Sequence, residues 1–286
     1  MNLNLKNITF IIVSYKSDEV IQNCIRSLPK KSKIIVIENS KNHKLKEKFK
    51  KKSKINVILN NNVGMGAANN IGIKKSKTQF VYILNPDVKF NRNTFKNLVK
   101  SAKQIDDFAI LSPQNSNLKY PNYKTEETKH INKNILNVEY LDGFSMLINK
   151  KKFKKKKYFD ENFFLYLENN DLCKRVKSYG ERIYVIKNSS IKHLGASSTS
   201  VKFSEKIEYL RNWHWMWSKF FYNKKHYGFF IALFKISPNL FSSIIKFLFF
   251  SFYINKEKKM IYKMRFLGLI NSMFYRKSWL RIENIN

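Results

Sequence analysis

Cys24 and Cys173 are the only cysteines in 286 residues. That excludes a disulfide framework and a cysteine-rich zinc site, and points to a reducing compartment. Eight glycines and five prolines exclude collagen-like and low-complexity architectures. Acids are scarce, 20 against 55 lysine plus arginine, for a formal net charge of +35. Arginine is scarce too, with Arg26, Arg92, Arg175, Arg182, Arg211, Arg265, Arg276 and Arg281 completing the set. Specific readers of DNA bases rely on bidentate arginine contacts. The basic excess therefore reads as AT-biased composition, rich in Lys, Asn, Ile and Phe, with attraction to an anionic membrane surface; nucleic acid is not an expected partner. Met1–Lys6 leads straight into an apolar run and does not read as a secretory signal.

Long apolar runs are missing as well. The best spanning candidate, 229–254, contains Lys235, Pro238, Asn239 and Lys246, which argues against a simple transmembrane helix. What is present is core material, 43% hydrophobic and 15% aromatic. Strand-like runs at 8–13, 34–37, 55–59, 80–84 and 108–111 alternate with helical patterns at 18–28, 66–75 and 93–104. Ser17 and Asp18 are placed to cap the first helix. This spacing predicts an α/β fold, a mostly parallel sheet with helices on both faces. Residues 112–137 read as a polar loop, 140–148 as a strand, 150–157 as a solvated lysine face, 168–178 as a helix, 182–186 as a strand and 189–200 as a loop. From 201 aromatics crowd in, and Phe241, Ile244, Ile245, Leu248, Phe249 and Phe252 form a helical stripe. Flanking lysines suggest an amphipathic helix in a membrane interface.

Ligands of such sheets sit beyond the carboxyl ends of the strands. Those ends carry Val13-Ser14-Tyr15, Glu38-Asn39-Ser40, the run from Asn60 through Gly64 to Gly72, and Leu84-Asn85-Pro86-Asp87-Val88. Glu38 can accept the N3–H of uracil or thymine. Gly64 to Ala68 let backbone approach a ligand at a helix N-terminus suited to phosphate. Asp87 offers hard oxygen to a divalent cation that would neutralise a diphosphate leaving group. Helix capping is the plain alternative for each acid taken singly.

In order and spacing these segments resemble family 2 glycosyltransferases, in particular the rhamnosyltransferase-like branch of bacterial surface-polysaccharide synthesis. The likeness continues through Asp142-Gly143-Phe144, the acidic stretch 159–173, and His193-Leu194-Gly195 with Ser198, covering roughly residues 8–200. It implies a GT-A fold, a nucleotide-diphosphate sugar donor (dTDP- or UDP-linked), Mg²⁺ or Mn²⁺, and inversion at the anomeric carbon. It places Ser14, Tyr15, Glu38, Asn39, Gly64, Asn70, Asn85 and Asp87 around the donor. Asp87 and His193 fall toward the metal, and Asp142, Gly143 and Phe164 on the acceptor side. Three departures stand out. Asn85 replaces the first acid of the metal motif, and Glu38 replaces the usual Asp. Glu168-Asn169 replaces Glu-Asp, leaving Glu168 as the expected base with Asp171 as the alternative.

The expected organisation is a GT-A domain at 1–200, with a nucleotide-sugar half at 1–115 and an acceptor half at 116–200, followed by a membrane-associated helical region at 201–286. The expected activity is transfer of a sugar, rhamnose being the first candidate, to a lipid-linked or polysaccharide acceptor. The expected location is cytoplasmic, peripheral at the inner face of the cytoplasmic membrane. The rival readings are a catalytically idle binding protein of the same fold and a basic nucleic-acid-binding protein.

Overall fold

The computed structural model describes residues 3–125, 130–153, 157–195 and 204–285; Ser198 lies outside the described residues. The chain divides into two compact units, Met1–Asp160 with Asn169–Thr199, and Glu161–Glu168 with Ser200–Asn286.

The first unit runs β1 (Ile8–Ser14), α1 (Asp18–Ser27), β2 (Lys33–Glu38), α2 (His43–Phe49), β3 (Ile55–Leu59), α3 (Met65–Lys75), β4 (Phe80–Leu84), β5 (Val88–Phe90), α4 (Thr94–Ala102) and β6 (Ile110–Asn115). Four short strands follow, β7 (Tyr123–Lys124), β8 (His130–Asn132), β9 (Ile135–Asn137) and β10 (Tyr140–Leu141). They lead to β11 (Ser145–Asn149), α5 (Glu168–Ser178) and β12 (Ile183–His193). The main sheet has the order β3-β2-β1-β4-β11-β6-β12-β9-β8, with β5 on β12. β3, β2, β1 and β4 are parallel, as are β6 and β12, while β11 runs antiparallel between β4 and β6.

β1 is apolar from Ile8 to Val13 at every position but Thr9 because both its faces are buried. Phe10 and Ile12 pack with Ile21 and Cys24 of α1 and Leu98 of α4. Ile11 joins Ile73 of α3 and Leu172 and Val176 of α5 in the second cluster. Helices thus cover both faces, as the alternation predicts.

Several local expectations are corrected. Ser17 precedes α1 without a side-chain cap, its hydroxyl donating to the Tyr15 carbonyl instead (3.0 Å). Residues 112–137 are not one loop: β6 continues to Asn115, held by the Asn122 amide, and β9 pairs with β12. The apolar stretch 140–148 is two strands, broken at Asp142–Phe144. β12 runs through a register shift to His193, so that histidine ends a strand rather than sitting in a loop. Part of the lysine face is anchored, Lys150 Nζ donating to the Ser76 carbonyl (2.8 Å) and Lys152 pairing with Asp107 and Glu181.

The second unit contains α6 (Ser204–Tyr227), α7 (Phe229–Phe252) and α8 (Lys256–Met273). Gly228, at φ +88°, makes the break between α6 and α7. Trp213 is buried with Trp217, Leu280 and Ile282. His214 bonds the Ser278 hydroxyl (2.8 Å) and the Leu280 carbonyl (3.0 Å), and burial pushes its imidazole down to about 3, so it stays neutral. α6 and α8 approach closely because residue 268 is glycine; a Cβ there would lie 2.3 Å from the Trp213 carbonyl oxygen.

Gly268→Ala is therefore expected to force the helices apart, at about 1–3 kcal/mol, more than the helix-propensity gain of about 1 kcal/mol. Thermal denaturation should show a melting temperature several degrees below wild type, and an unchanged one would refute the close crossing.

Candidate active site

The parallel register sets Ser14 directly beside Glu38 at the carboxyl ends of β1 and β2. Glu38 is fully buried. Its Oε1 accepts from the Ser40 backbone N–H (2.8 Å) and from the Ser40 hydroxyl. Glu38 Oε2 and Ser14 Oγ are buried with no hydrogen-bond partner among the described residues. An ionisable oxygen held without a donor is costly unless a ligand supplies one. Tyr15 is half-buried in the following turn, where Lys16 takes φ +53°.

Two amides expected at the donor hold backbone. Asn39 Nδ2 donates to the Gly64 carbonyl (3.2 Å) while its Oδ1 accepts from Asn60 (3.0 Å). This fixes the loop that enters α3 through Gly64, whose φ of +91° requires glycine there. Asn70 Nδ2 donates to the Phe159 carbonyl (2.9 Å) and its Oδ1 accepts from the Phe159 N–H (3.1 Å). It clamps a distant segment.

A second cluster forms where β4 ends. Asn85, half-buried, donates its backbone N–H to the Phe144 carbonyl (3.0 Å). Asp87 is buried, and its Oδ1, lacking a hydrogen-bond partner, lies 3.4 Å from His193 Nε2. The antiparallel pairing of β5 with β12 puts His193 opposite Val88, and the Leu194 N–H reaches the Asp87 carbonyl (3.1 Å). Phe144 stacks on the imidazole at 4.2 Å and sets its plane. Burial raises the Asp142 carboxyl, an effect that His193 opposes. Gly143 packs against Asn169, whose amide donates to the Leu141 carbonyl (2.8 Å).

Among the described residues no group of three or more His, Cys, Asp or Glu is arranged to hold a metal. The pair Asp87 and His193 still fits Mg²⁺ or Mn²⁺. Such ions take one or two protein ligands and fill the remaining positions with water and phosphate oxygens, and the orphaned Asp87 Oδ1 provides the hard donor.

Glu168 opens α5 and is buried; its Oε2 has no hydrogen-bond partner, and burial pushes the carboxyl up to about 7. Tyr166 and Leu167 before it both adopt left-handed φ, +70° and +63°, a conformation that costs strain in non-glycine residues. Asp171 differs. It is fully buried and accepts from Arg175 Nε (2.8 Å), which in turn holds the carbonyls of Lys157 (3.2 Å) and Tyr158. Phe164, expected on the acceptor side, is buried, its ring stacked with His214 (4.6 Å between centres) and the Arg281 guanidinium 3.6 Å from its centre. Ser40 and Phe144 were not singled out as site residues, although Ser40 stands two residues after the acid it holds, a common turn spacing.

Residues 9–190 match the family described as Glycosyl transferase family 2. A curated relative, the low-salt glycan biosynthesis hexosyltransferase Agl10 of Haloferax volcanii, is 25% identical over 192 residues, 60% of this chain and 62% of its own. The chain thus spans about three fifths of that relative's length. The fold is similar to that of the mannosyltransferase PcManGT from Pyrobaculum calidifontis, solved with GDP-Man and Mn²⁺ (TM-score 0.58, 10% identity, 95% of this chain and 88% of that one). It is also similar to GalNAc-T7, solved with UDP, GalNAc and Mn²⁺ (TM-score 0.55, 16% identity, 65% and 42% covered).

The burial of Glu168 has a pH signature. Unfolded, the carboxyl titrates near its ordinary 4.5; folded, near 7. Between those values the folded state binds more protons, so stability falls as pH rises through the window and the full penalty, about 3 kcal/mol at most, holds above it. Glu168→Gln is expected to raise the melting temperature at pH 8, with the gain vanishing toward pH 4.5. A gain independent of pH would contradict this assignment.

Proposed function

The chain belongs to glycosyl transferase family 2, and we propose that it is an inverting, divalent-cation-dependent hexosyltransferase using a pyrimidine nucleotide-diphosphate sugar. The observation that carries this reading is chemical. Ser14 Oγ, Glu38 Oε2, Asp87 Oδ1 and Glu168 Oε2 are buried without hydrogen-bond partners among the described residues, and each belongs to a residue to which the family resemblance gives a role. The Mn²⁺ with which GalNAc-T7 and PcManGT were solved agrees with the cation, and the UDP of GalNAc-T7 with the pyrimidine, whereas PcManGT carries the purine donor GDP-Man.

In this mechanism Glu38 Oε2 accepts the ring N–H of uracil or thymine, beside the Ser14 hydroxyl. Glu168, ionised, takes the proton from the acceptor hydroxyl as that oxygen attacks the anomeric carbon. The new C–O bond forms on the face opposite the departing diphosphate, whose oxygen keeps the electron pair of the broken bond, and the configuration inverts. Asp87 and His193 would hold a cation, which supplies charge neutralisation for the diphosphate. Asp171, already committed to Arg175, is left as an anchor, so Glu168 is the base. Rhamnose from its dTDP donor is the first sugar to test.

The acceptor is proposed to be lipid-linked or a polysaccharide, met at the cytoplasmic membrane face. α7 is long and apolar enough to cross a membrane by length and composition, with mean hydropathy 1.3 in its best window. Its exposed Phe230, Phe234, Phe241, Ile245, Leu248 and Phe252 recur on one helical face. Lys235 lies over the Tyr227 ring (3.9 Å) and Lys224 over Tyr275 (3.7 Å). That mixture fits a helix lying in an anionic interface.

Thermal-shift titration with dTDP, UDP and GDP, each with and without Mn²⁺, is expected to show stabilisation that needs the metal and one pyrimidine diphosphate; Asp87→Asn should abolish the metal-dependent part. Glu168→Gln should keep that shift but lose transfer by about 10²–10⁴-fold. The wild-type rate should climb as pH rises through about 7, when Glu168 ionises. A nucleotide shift without turnover under any donor would mark an idle protein. Separately, co-sedimentation with vesicles should be strong for anionic lipid and weak for neutral lipid, and should weaken in Phe230→Ser/Phe234→Ser; equal binding to both lipids would count against the interface.

A further inference from the structure

Building on the transferase reading, we propose that a cleft on α6 is a carbohydrate-binding subsite that seats one sugar ring of the acceptor against the Trp215 indole. The cleft, about 260 Å³, is lined by Tyr166, Glu208, Arg211, Asn212, Trp215 and Arg265, all within the second unit. Glu208, Arg211, Asn212 and Trp215 stand at i, i+3, i+4 and i+7, one face of α6.

Its chemistry is that of a sugar site. Trp213 and Trp217 are buried, but Trp215 is 39% exposed and is steadied edge-on by Tyr166 (5.4 Å between ring centres, 84° between planes). The polar wall is preorganised. Arg265 Nε donates to Asn212 Oδ1 (2.7 Å), and Asn212 Nδ2 donates to Glu208 Oε1 (2.7 Å). A pyranose offers an apolar C–H face to stack on indole and hydroxyls that both donate and accept. The cleft answers with an exposed ring, a carboxylate acceptor and two guanidinium donors. A phosphate would meet the Glu208 carboxylate at the same wall, so a neutral polyhydroxyl ligand fits better.

The subsite also adjoins the base in the chain. The left-handed pair Tyr166 and Leu167 carries the cleft's tyrosine directly into Glu168. Burial raises the Tyr166 phenol, Arg211 opposes the rise, and Glu208 and Glu168 both add to it, so the carboxylates are close enough to act on the same ring. One short segment thus carries both a side chain of the sugar face and the proposed base.

The test is saturation-transfer NMR on the full chain with the methyl pyranosides of mannose, glucose and rhamnose, and with inorganic phosphate as competitor. At least one glycoside should bind wild type, and Trp215→Ala and Glu208→Gln should weaken it by about tenfold or more. Trp215→Phe, which keeps a ring, should retain more binding than Trp215→Ala, and the nucleotide-dependent thermal shift should persist in all three. No glycoside binding, undiminished binding by Trp215→Ala, or displacement of the glycoside by phosphate overturns the subsite. Glycoside binding without any nucleotide shift in wild type supports the subsite and overturns the transferase reading instead.

Discussion

Buried oxygens with no hydrogen-bond partner among the described residues are the constraint around which this molecule is arranged. A folded protein satisfies nearly all its buried polar groups, because each unsatisfied one costs free energy comparable to a lost hydrogen bond. Here the parallel register of β1 and β2 sets Ser14 Oγ and Glu38 Oε2 side by side in that condition, and the turn after β4 does the same to Asp87. The structure tolerates this because the surrounding sheet is buried on both faces and cannot relax cheaply. The unsatisfied capacity is what a base, a cation and a diphosphate can use.

Asparagine does much of the holding. Asn39, Asn70, Asn122 and Asn169 each bond backbone in other segments, with Asn122 bridging Pro113 and Asn115. An amide both donates and accepts at one site, so it can replace a strand neighbour where the chain turns irregular. Asn169 shows the consequence. Where the family resemblance leads one to expect a second acid, this chain has a donor to the Leu141 carbonyl, so Glu168 beside it is the base we propose.

In the second unit, burial and exposure are divided sharply along the helices. α6 and α8 meet at Gly268 and enclose Trp213, whereas α7 leaves a row of phenylalanines uncovered. Periodicity alone gives such a row no direction, since the same stripe serves a core or a lipid surface. Lysines lying over aromatic rings at its margins favour the lipid reading.

By itself the sequence determined the strand and helix alternation, the burial of β1, and the chemistry gathered at the strand ends, because side-chain period and residue type are local properties. Ser14, Glu38 and Asp87 stood out that way, whereas His193 and Glu168 entered only through the resemblance to the family. Only the tertiary structure separated the acids and amides by the partners they find. Asp171 and Glu168 are three residues apart with the same functional group, and their difference lies in Arg175, one helical turn beyond Asp171, which engages Asp171, while Glu168 Oε2 has no hydrogen-bond partner among the described residues. Asn70, expected beside the donor, also bonds the Phe159 backbone, 89 residues away, through both ends of its amide. The antiparallel insertion of β11, the run of β12 to His193 and the covering of Phe164 were likewise settled by pairing between segments distant in the chain, and no local pattern encodes which partner a polar group will find.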